Sequence, residues 1–303
     1  MAEQADNLRK WARQQAGDGE GRTPGQTRLI AVGSGKGGVG KSNISLNLAL
    51  ALQQSGRRIA LIDADLGFSN LEILLGIRAQ YTLQDVFAGR VELSAAFTLA
   101  PTGLMLISGG SGTLPGAAQS GLYVTRFAQQ LAAIDGQYDL IFIDFGAGFG
   151  PYSAEMMGLC DELLMITTPE PTALTDAYAL VKMMSQGHAL PPIRLLVNRV
   201  REQASAVEAG EKFATVCQRF LSIRVEQLGA IPEDVAVLRA VSRQSPFFLA
   251  EPNSPAARAI RSLTRAPWLA QLTEAAQSLP ANDSRGIRAL FDRFVKRRSE
   301  GRS

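Results

Sequence analysis

Arg28-Leu29-Ile30-Ala31-Val32-Gly33-Ser34-Gly35-Lys36-Gly37-Gly38-Val39-Gly40-Lys41-Ser42 is the stretch that decides the fold. Leu29 to Val32 is a short apolar run that reads as a buried strand, and from Asn43 the pattern turns helical. Gly35 to Ser42 between them fits the phosphate-binding loop G-x-x-x-x-G-K-[ST]. Such a loop needs glycines because its backbone N–H groups must converge on phosphate oxygens, and a Cβ would block the approach. Gly35, Gly37, Gly38, Val39, Gly40, Lys41, Ser42 and Asn43 are therefore the expected phosphate contacts. Lys41 is placed to reach the β- and γ-phosphates and the Ser42 hydroxyl to ligate Mg²⁺. The helix that follows adds its positive N-terminal end beneath the anion.

The loop contains a second lysine, Lys36, directly after its first glycine. The form Lys36-Gly-Gly-Val-Gly-Lys41-Ser42 resembles the deviant phosphate loop of the MinD/ParA ATPases. In that family the extra lysine crosses a dimer interface to the partner's nucleotide, so the resemblance implies a homodimer formed with ATP and a catalytic role for Lys36 beside Lys41.

Composition sets the limits of that reading. The chain has 303 residues, 46% of them hydrophobic and 19% charged, as expected of a well-packed globule of one large or two modest domains. No apolar run approaches the roughly 20 residues that span a bilayer. The first 27 residues are polar and charged and do not read as a signal peptide. Cys160 and Cys217 are too few for a disulfide framework and lack metal-ligand spacing, and His188 is the only histidine. A cluster-bridging electron-transfer protein of the nitrogenase-iron-protein kind, which needs cluster-binding cysteines, is thereby disfavoured.

Strand and helix patterns alternate from Leu29 to about residue 280. Further apolar runs read as strands at Ile59 to Ile62, Leu104 to Ser108, Leu140 to Asp144, Leu163 to Thr167, Leu195 to Asn198 and Gln227 to Ile231. Helical patterns cover Ile44 to Leu52, 120–134, 171–186 and 206–221. Strands followed by helices of this length imply right-handed crossovers, hence an α/β fold with a mostly parallel central sheet flanked by helices. The expected organisation is a short helix over 3–16, with Leu8, Trp11 and Ala12 as a small apolar stripe, and a linker to residue 27, then one ATPase domain over 28–280 and a terminal basic amphipathic helix over 281–303.

In an open parallel sheet, ligands bind beyond the carboxyl ends of the strands. Asp63 and Asp65 fall after one strand and Asp144 ends another. Carboxylates there can hold a metal-bound water or orient an attacking one, although Asp63 also reads as a brace for its own turn. Asp63-Ala-Asp65-Leu-Gly-Phe-Ser-Asn70 resembles the first switch of MinD-like ATPases, which implies that Asp65 positions the hydrolytic water. Asp144-Phe145-Gly146-Ala147-Gly148 resembles the second switch, which implies Asp144 on the Mg²⁺ side, along with Asp63 and Ser42, and Gly148 near the γ-phosphate. Phe145 departs from the family, where Thr or Ser is usual, and puts the turnover rate in question. Asn198-Arg199 resembles the position that reads adenine N6 and N7, and Ile231-Pro232-Glu233-Asp234 the loop that packs on the base. An amide suits that task because it donates and accepts side by side.

The two tails suggest the branch. Glu3-Gln4-Ala5-Asp6-Asn7-Leu8-Arg9 resembles the D-Q-A-x-x-L-R motif of the FlhG group of flagellar-number regulators (FleN, YlxH), with Glu3 in place of the commoner Asp. The resemblance implies that Gln4, with Leu8 and Arg9, stimulates FlhF, a GTPase of the signal-recognition-particle type. It also implies flagellar transcription or basal-body proteins as further partners. At the other end Ile287, Leu290, Phe291, Phe294 and Val295 form one apolar stripe at i, i+3, i+4, i+7 and i+8. Seven Lys/Arg against two Asp/Glu lie between Arg285 and Arg302. A basic helix with an aromatic-containing apolar face suits an anionic membrane surface and resembles the membrane-targeting helix of MinD. The expectation is an ATP-hydrolysing dimeric switch, cytoplasmic and peripheral to the inner face of the membrane, without a specific nucleic-acid partner. A cell-division or chromosome-partitioning ATPase of the same fold, or a non-hydrolysing adaptor, is the alternative.

Overall fold

The computed structural model describes residues 27–66, 70–110, 120–147, 151–186 and 190–269. Eight strands form one sheet: β1 (Arg28–Gly33), β2 (Ile59–Ala64), β3 (Thr98–Leu99), β4 (Met105–Ile107), β5 (Leu140–Phe145), β6 (Glu162–Thr167), β7 (Ile193–Val200) and β8 (Val225–Pro232). Their order is β3-β4-β2-β5-β1-β6-β7-β8, parallel throughout except for the β3–β4 pair. β1, β2, β5 and β6 are apolar for most of their length and almost wholly buried, as strands covered on both faces must be.

Side chains alternate between two core layers. Leu29, Ala31, Ile62, Ile141 and Ile143 face one cluster. That cluster is shared with Phe127 and Leu131 of α2 (Ser120–Ala133), Leu180 of α3 (Pro171–Ser185) and Phe213 of α4 (Gln203–Leu221). Ile30, Val32, Leu61 and Phe142 face the other, packed on α1 (Lys41–Gln54) and on Ile260 and Leu263 of α6 (Pro255–Leu263). The helix Val235–Ser242, here α5, leads from β8 towards α6. Within α1 the buried Asn47 is satisfied on both sides: its amide donates to the Asn43 carbonyl at 2.6 Å, and its Oδ1 accepts the Phe248 N–H at 2.8 Å. Ion pairs Arg28–Asp161, Arg58–Asp139 and Arg194–Glu162, at 2.8, 3.0 and 2.6 Å, lie at or just before the N-terminal ends of the strands. That leaves the opposite rim for chemistry.

Among the described residues the expected strands and helices are present with small shifts. α1 begins at Lys41 rather than beyond Asn43, because Gly40 in the left-handed region (φ 96°) serves as its N-cap. Asp63 lies inside β2 rather than after it. The antiparallel β3 and the short helices Asn70–Leu75, Leu83–Phe87, Leu93–Ala96, Pro151–Met157 and Phe247–Ala250, with α5 and α6, were not anticipated, being too short for their periodicity to stand out. Cys160 and Cys217 are buried free thiols, and burial pushes the Cys217 thiol up to about 11. His188, Gly148, the N-terminal residues Gln4, Leu8 and Arg9, and the stripe Ile287 to Val295 lie outside the described residues.

Candidate nucleotide site

The loop leaves β1, the fifth strand in the order, between β5 and β6. Gly38 and Gly40 take φ of 76° and 96°, a region that disfavours side chains. Gly35 is needed for a different reason. A Cβ there would fall 2.0 Å from the Asp176 carbonyl carbon and 2.3 Å from the Ala177 nitrogen, so the loop lies directly on the backbone of α3. α1 has no side-chain cap and no acid in its first turn. Its leading N–H groups thus remain available to an anion. Lys41, 8% exposed, opens that helix, with Ser42 beside it.

Topology supplies the carboxylates. Asp63 and Asp144 are direct partners across the β2–β5 pair, and Asp144 is also the partner of Val32 in β1. By the alternation of their strands both aspartates face α1. Each is 1% exposed. Among the described residues no hydrogen-bond partner lies within bonding distance of either Asp144 carboxylate oxygen. Burial raises its pKa to about 6, opposed first by the Lys41 charge and then by the nearby Ser42 and Ser45 hydroxyls, and aided by Asp65. A buried carboxylate beside a serine hydroxyl is a costly arrangement that a divalent cation offsets. One or two carboxylates, a hydroxyl and substrate phosphates form a donor set that suits Mg²⁺. The residues present therefore fit the ion. Phe145 is fully buried in the opposite core layer, so the side chain at this position packs away from Asp144.

Asp65 is tied to Asp63, whose Oδ1 accepts the Asp65 N–H at 3.0 Å. Its carboxylate lies against the second switch: a Cβ on Gly146 would be 2.8 Å from Asp65 Oδ1. On another side, a Cβ on Gly109 would be 2.6 Å from the Asp65 carbonyl oxygen. Gly109 belongs to no motif of the sequence, although a Gly-Gly pair after β4, on the ligand rim, is a usable signal.

Lys36 Nζ donates to Glu170 Oε2 and to Thr172 Oγ1, both at 3.0 Å, at the start of α3. Glu170 and Thr172 were likewise not anticipated as its partners. Asn198, expected to meet the base, is 8% exposed and its amide donates to the Val39 carbonyl at 2.7 Å; the amide carries a second hydrogen and Oδ1 besides. Arg199 follows in the left-handed region, φ 55°. Pro232 pairs with Val200 at the end of β8, and the Glu233 N–H donates to the Val200 carbonyl at 2.9 Å. The Glu233 carboxylate is held by Arg201, which lowers its pKa. Asp234 is structural: it caps α5 through the Ala236 N–H and accepts the Ala256 N–H at the start of α6.

A ParA family profile, described as the NUBPL iron-transfer P-loop NTPase, matches residues 25–266. The chain is 35% identical over 276 residues to the antiactivator FleN of Pseudomonas aeruginosa, covering 90% of this chain and 95% of FleN. This chain belongs to the ParA/MinD family of P-loop NTPases. Within that family it is also 30% identical to the flagellum site-determining protein YlxH of Helicobacter pylori, covering 90% of this chain and 91% of the relative. Both relatives are of the FlhG type. Among solved ParA/MinD structures, the septum site-determining protein MinD of Pyrococcus horikoshii, complexed with Mg-ADP, superposes with a TM-score of 0.65 at 25% identity. The match covers 84% of this chain and all of that one. The MinC:MinD cell division complex of Aquifex aeolicus gives the same TM-score at 26% identity, over 84% of this chain and 98% of that one. Among the described residues no helix is long and apolar enough to cross a membrane.

Proposed function

We propose that this protein is an ATP-hydrolysing, dimerising switch that regulates flagellar number or placement. The observation that carries the reading is the pairing of a second loop lysine, Lys36, with a buried Asp63–Asp144 carboxylate pair and Asp65 on one rim of the sheet. Similarity to FleN and YlxH supports the flagellar role over division or partitioning.

In this reading Lys41 and the loop N–H groups bind the phosphates, and Asn198, Arg199, Pro232 and Glu233 enclose the base. Ser42, Asp63 and Asp144 hold Mg²⁺, which when bound neutralises charge on the phosphates. Asp65, fixed between Gly109 and Gly146, holds the attacking water in line by accepting its hydrogen bond. Lys36 leaves Glu170 and Thr172 and meets the nucleotide of a second copy of the chain.

The output lies in the two ends of the chain. Burying Phe291 and Phe294 in a membrane contributes roughly 1.5–3 kcal/mol each. Each basic residue near an anionic surface adds about 1 kcal/mol. One such helix is a marginal anchor, and a dimer presenting two gains by avidity. Sedimentation with vesicles containing phosphatidylserine is therefore expected to require ATP, and Phe291→Glu or truncation after Asp283 should reduce it to background. Binding without nucleotide, or undiminished binding by the truncated chain, would count against the membrane switch.

The N-terminal tail has its own test. A glutamine amide can orient a water towards a γ-phosphate without changing protonation. A peptide of residues 1–20 is expected to raise the GTPase rate of an FlhF-type partner. Gln4→Ala should remove that stimulation, while Trp11→Ala should weaken binding instead. An inert peptide, with stimulation retained by the full chain, would show that another element activates.

A further inference from the structure

Asn198 lies 159 positions from Val39, yet its amide donates to the Val39 carbonyl in a buried bond of 2.7 Å. The same nitrogen packs on the next residue: a Cβ on Gly40 would approach Asn198 Nδ2 to 2.4 Å. Gly40 is the N-cap of α1 and accepts the Ile44 N–H through its carbonyl at 3.0 Å, so this contact is made where the loop becomes the helix that begins with Lys41.

The strand that supplies Asn198 departs from regular geometry at that point. The β7–β8 ladder shifts register between Val197 and Val200, and Arg199 takes a positive φ of 55°. Left-handed backbone at a long side chain is unfavourable and persists only where its surroundings enforce it. A bulge of this kind re-aims a side chain, and the one re-aimed here is held on the phosphate loop.

We infer that Asn198 is a positioning residue for the phosphate loop, a brace that fixes Val39 and Gly40 and through them the start of α1, in addition to any contact with a base. The inference rests on the nucleotide-site reading above and adds a consequence to it. One side chain serves both the base and the phosphates, so removing it weakens binding of phosphate that bears no base at all. A residue that only reads adenine cannot have that effect.

The test uses the full chain with Asn198→Asp, which keeps the shape but sets a carboxylate against the Val39 carbonyl, and with Asn198→Ala, which removes the donor without repulsion. Affinities for magnesium ATP and for base-free magnesium tripolyphosphate are measured by calorimetry. Amide exchange at Ile44 is followed in the nucleotide-free protein, with the melting temperature monitored alongside. Losing a buried donor and stranding a carbonyl should lower affinity for both ligands by a similar factor, roughly tenfold or more. Exchange at Ile44 should speed up while amides in the centre of β1 and β5 do not change. Tripolyphosphate affinity unchanged by both variants, or unchanged exchange at Ile44, overturns the brace and leaves Asn198 a base reader only. If the unaltered protein binds neither ATP nor tripolyphosphate, the nucleotide-site reading fails instead, and exchange at Ile44 alone decides the brace.

Discussion

Asp65→Ala and Lys36→Ala are both expected to stop ATP turnover, but only Asp65→Ala should still dimerise with ATP. The expectation for Asp65 follows from its placement: its N–H is anchored on Asp63, and its carboxylate rests against Gly146, two residues beyond Asp144. Removing a positioned group of this kind costs about 10²–10⁴-fold in rate. It leaves the phosphate loop intact, so nucleotide and partner are still bound and the dimer accumulates. Lys36 plays a different part. In the single chain its ammonium is held by Glu170 and Thr172, with side chains of Lys36 and Glu170 that are 40% and 60% exposed. An exposed pair contributes only about 0–1 kcal/mol, so leaving Glu170 for the more concentrated negative charge of a nucleotide is a small obstacle. Without that ammonium the partner's phosphates lose their cross-subunit cation and the dimer is not held. Gel filtration with ATP, beside a steady-state phosphate-release assay, separates the two variants. Equal dimerisation by both would remove Lys36 from the interface, and undiminished turnover by Asp65→Ala would remove Asp65 from the chemistry.

Much of this arrangement was legible in the sequence because the phosphate loop is contiguous and its neighbours are short apolar runs. A strand, a glycine-rich turn and a helix in succession fix the local geometry of residues 28–54, and aspartates at the ends of two other runs must come to the same rim of a parallel sheet. What could not be read was pairing between distant positions. That Asp63 stands directly opposite Asp144 depends on β2 and β5 being neighbours, although β3 and β4 lie between them in the chain. The partners of Lys36 are 134 and 136 residues away, at the start of α3. Phe145 shows the same limit from the other side. From its place in the motif it suggested a hydroxyl missing beside the metal, whereas the parity of β5 sends its ring into the apolar layer shared with α2 and α3. The bulge at Asn198-Arg199 had no signal in a run that otherwise reads as plain strand.

Gly35→Ala is expected to destabilise the protein and to abolish measurable nucleotide binding, although it adds a single methyl group. The added carbon would fall 2.0 Å from the Asp176 carbonyl carbon and 2.1 Å from its oxygen. Those are backbone atoms in the middle of a helix of 15 residues, so no side-chain rotation relieves the clash. Either the loop must withdraw from α3, or α3 must shift as a body. α3 contributes Ala177, Leu180, Val181 and Met184 to the core, which resists the second course. Overpacking in such a place costs typically 1–3 kcal/mol, and a rigid backbone on both sides puts this case at or above the top of that range. Withdrawal of the loop would carry Lys36 away from Glu170 and Thr172 and shift the N–H groups that should converge on phosphate. Gly37 provides the contrast: among the described residues a Cβ there meets only the Ala147 methyl at 3.7 Å, an ordinary contact. Gly37→Ala should therefore melt within about 0.5 kcal/mol of the unaltered chain. Thermal denaturation of the two variants, followed by ATP titration, checks the expectation. A Gly35→Ala protein as stable as Gly37→Ala and still binding ATP would show that loop and helix are not in the contact seen here.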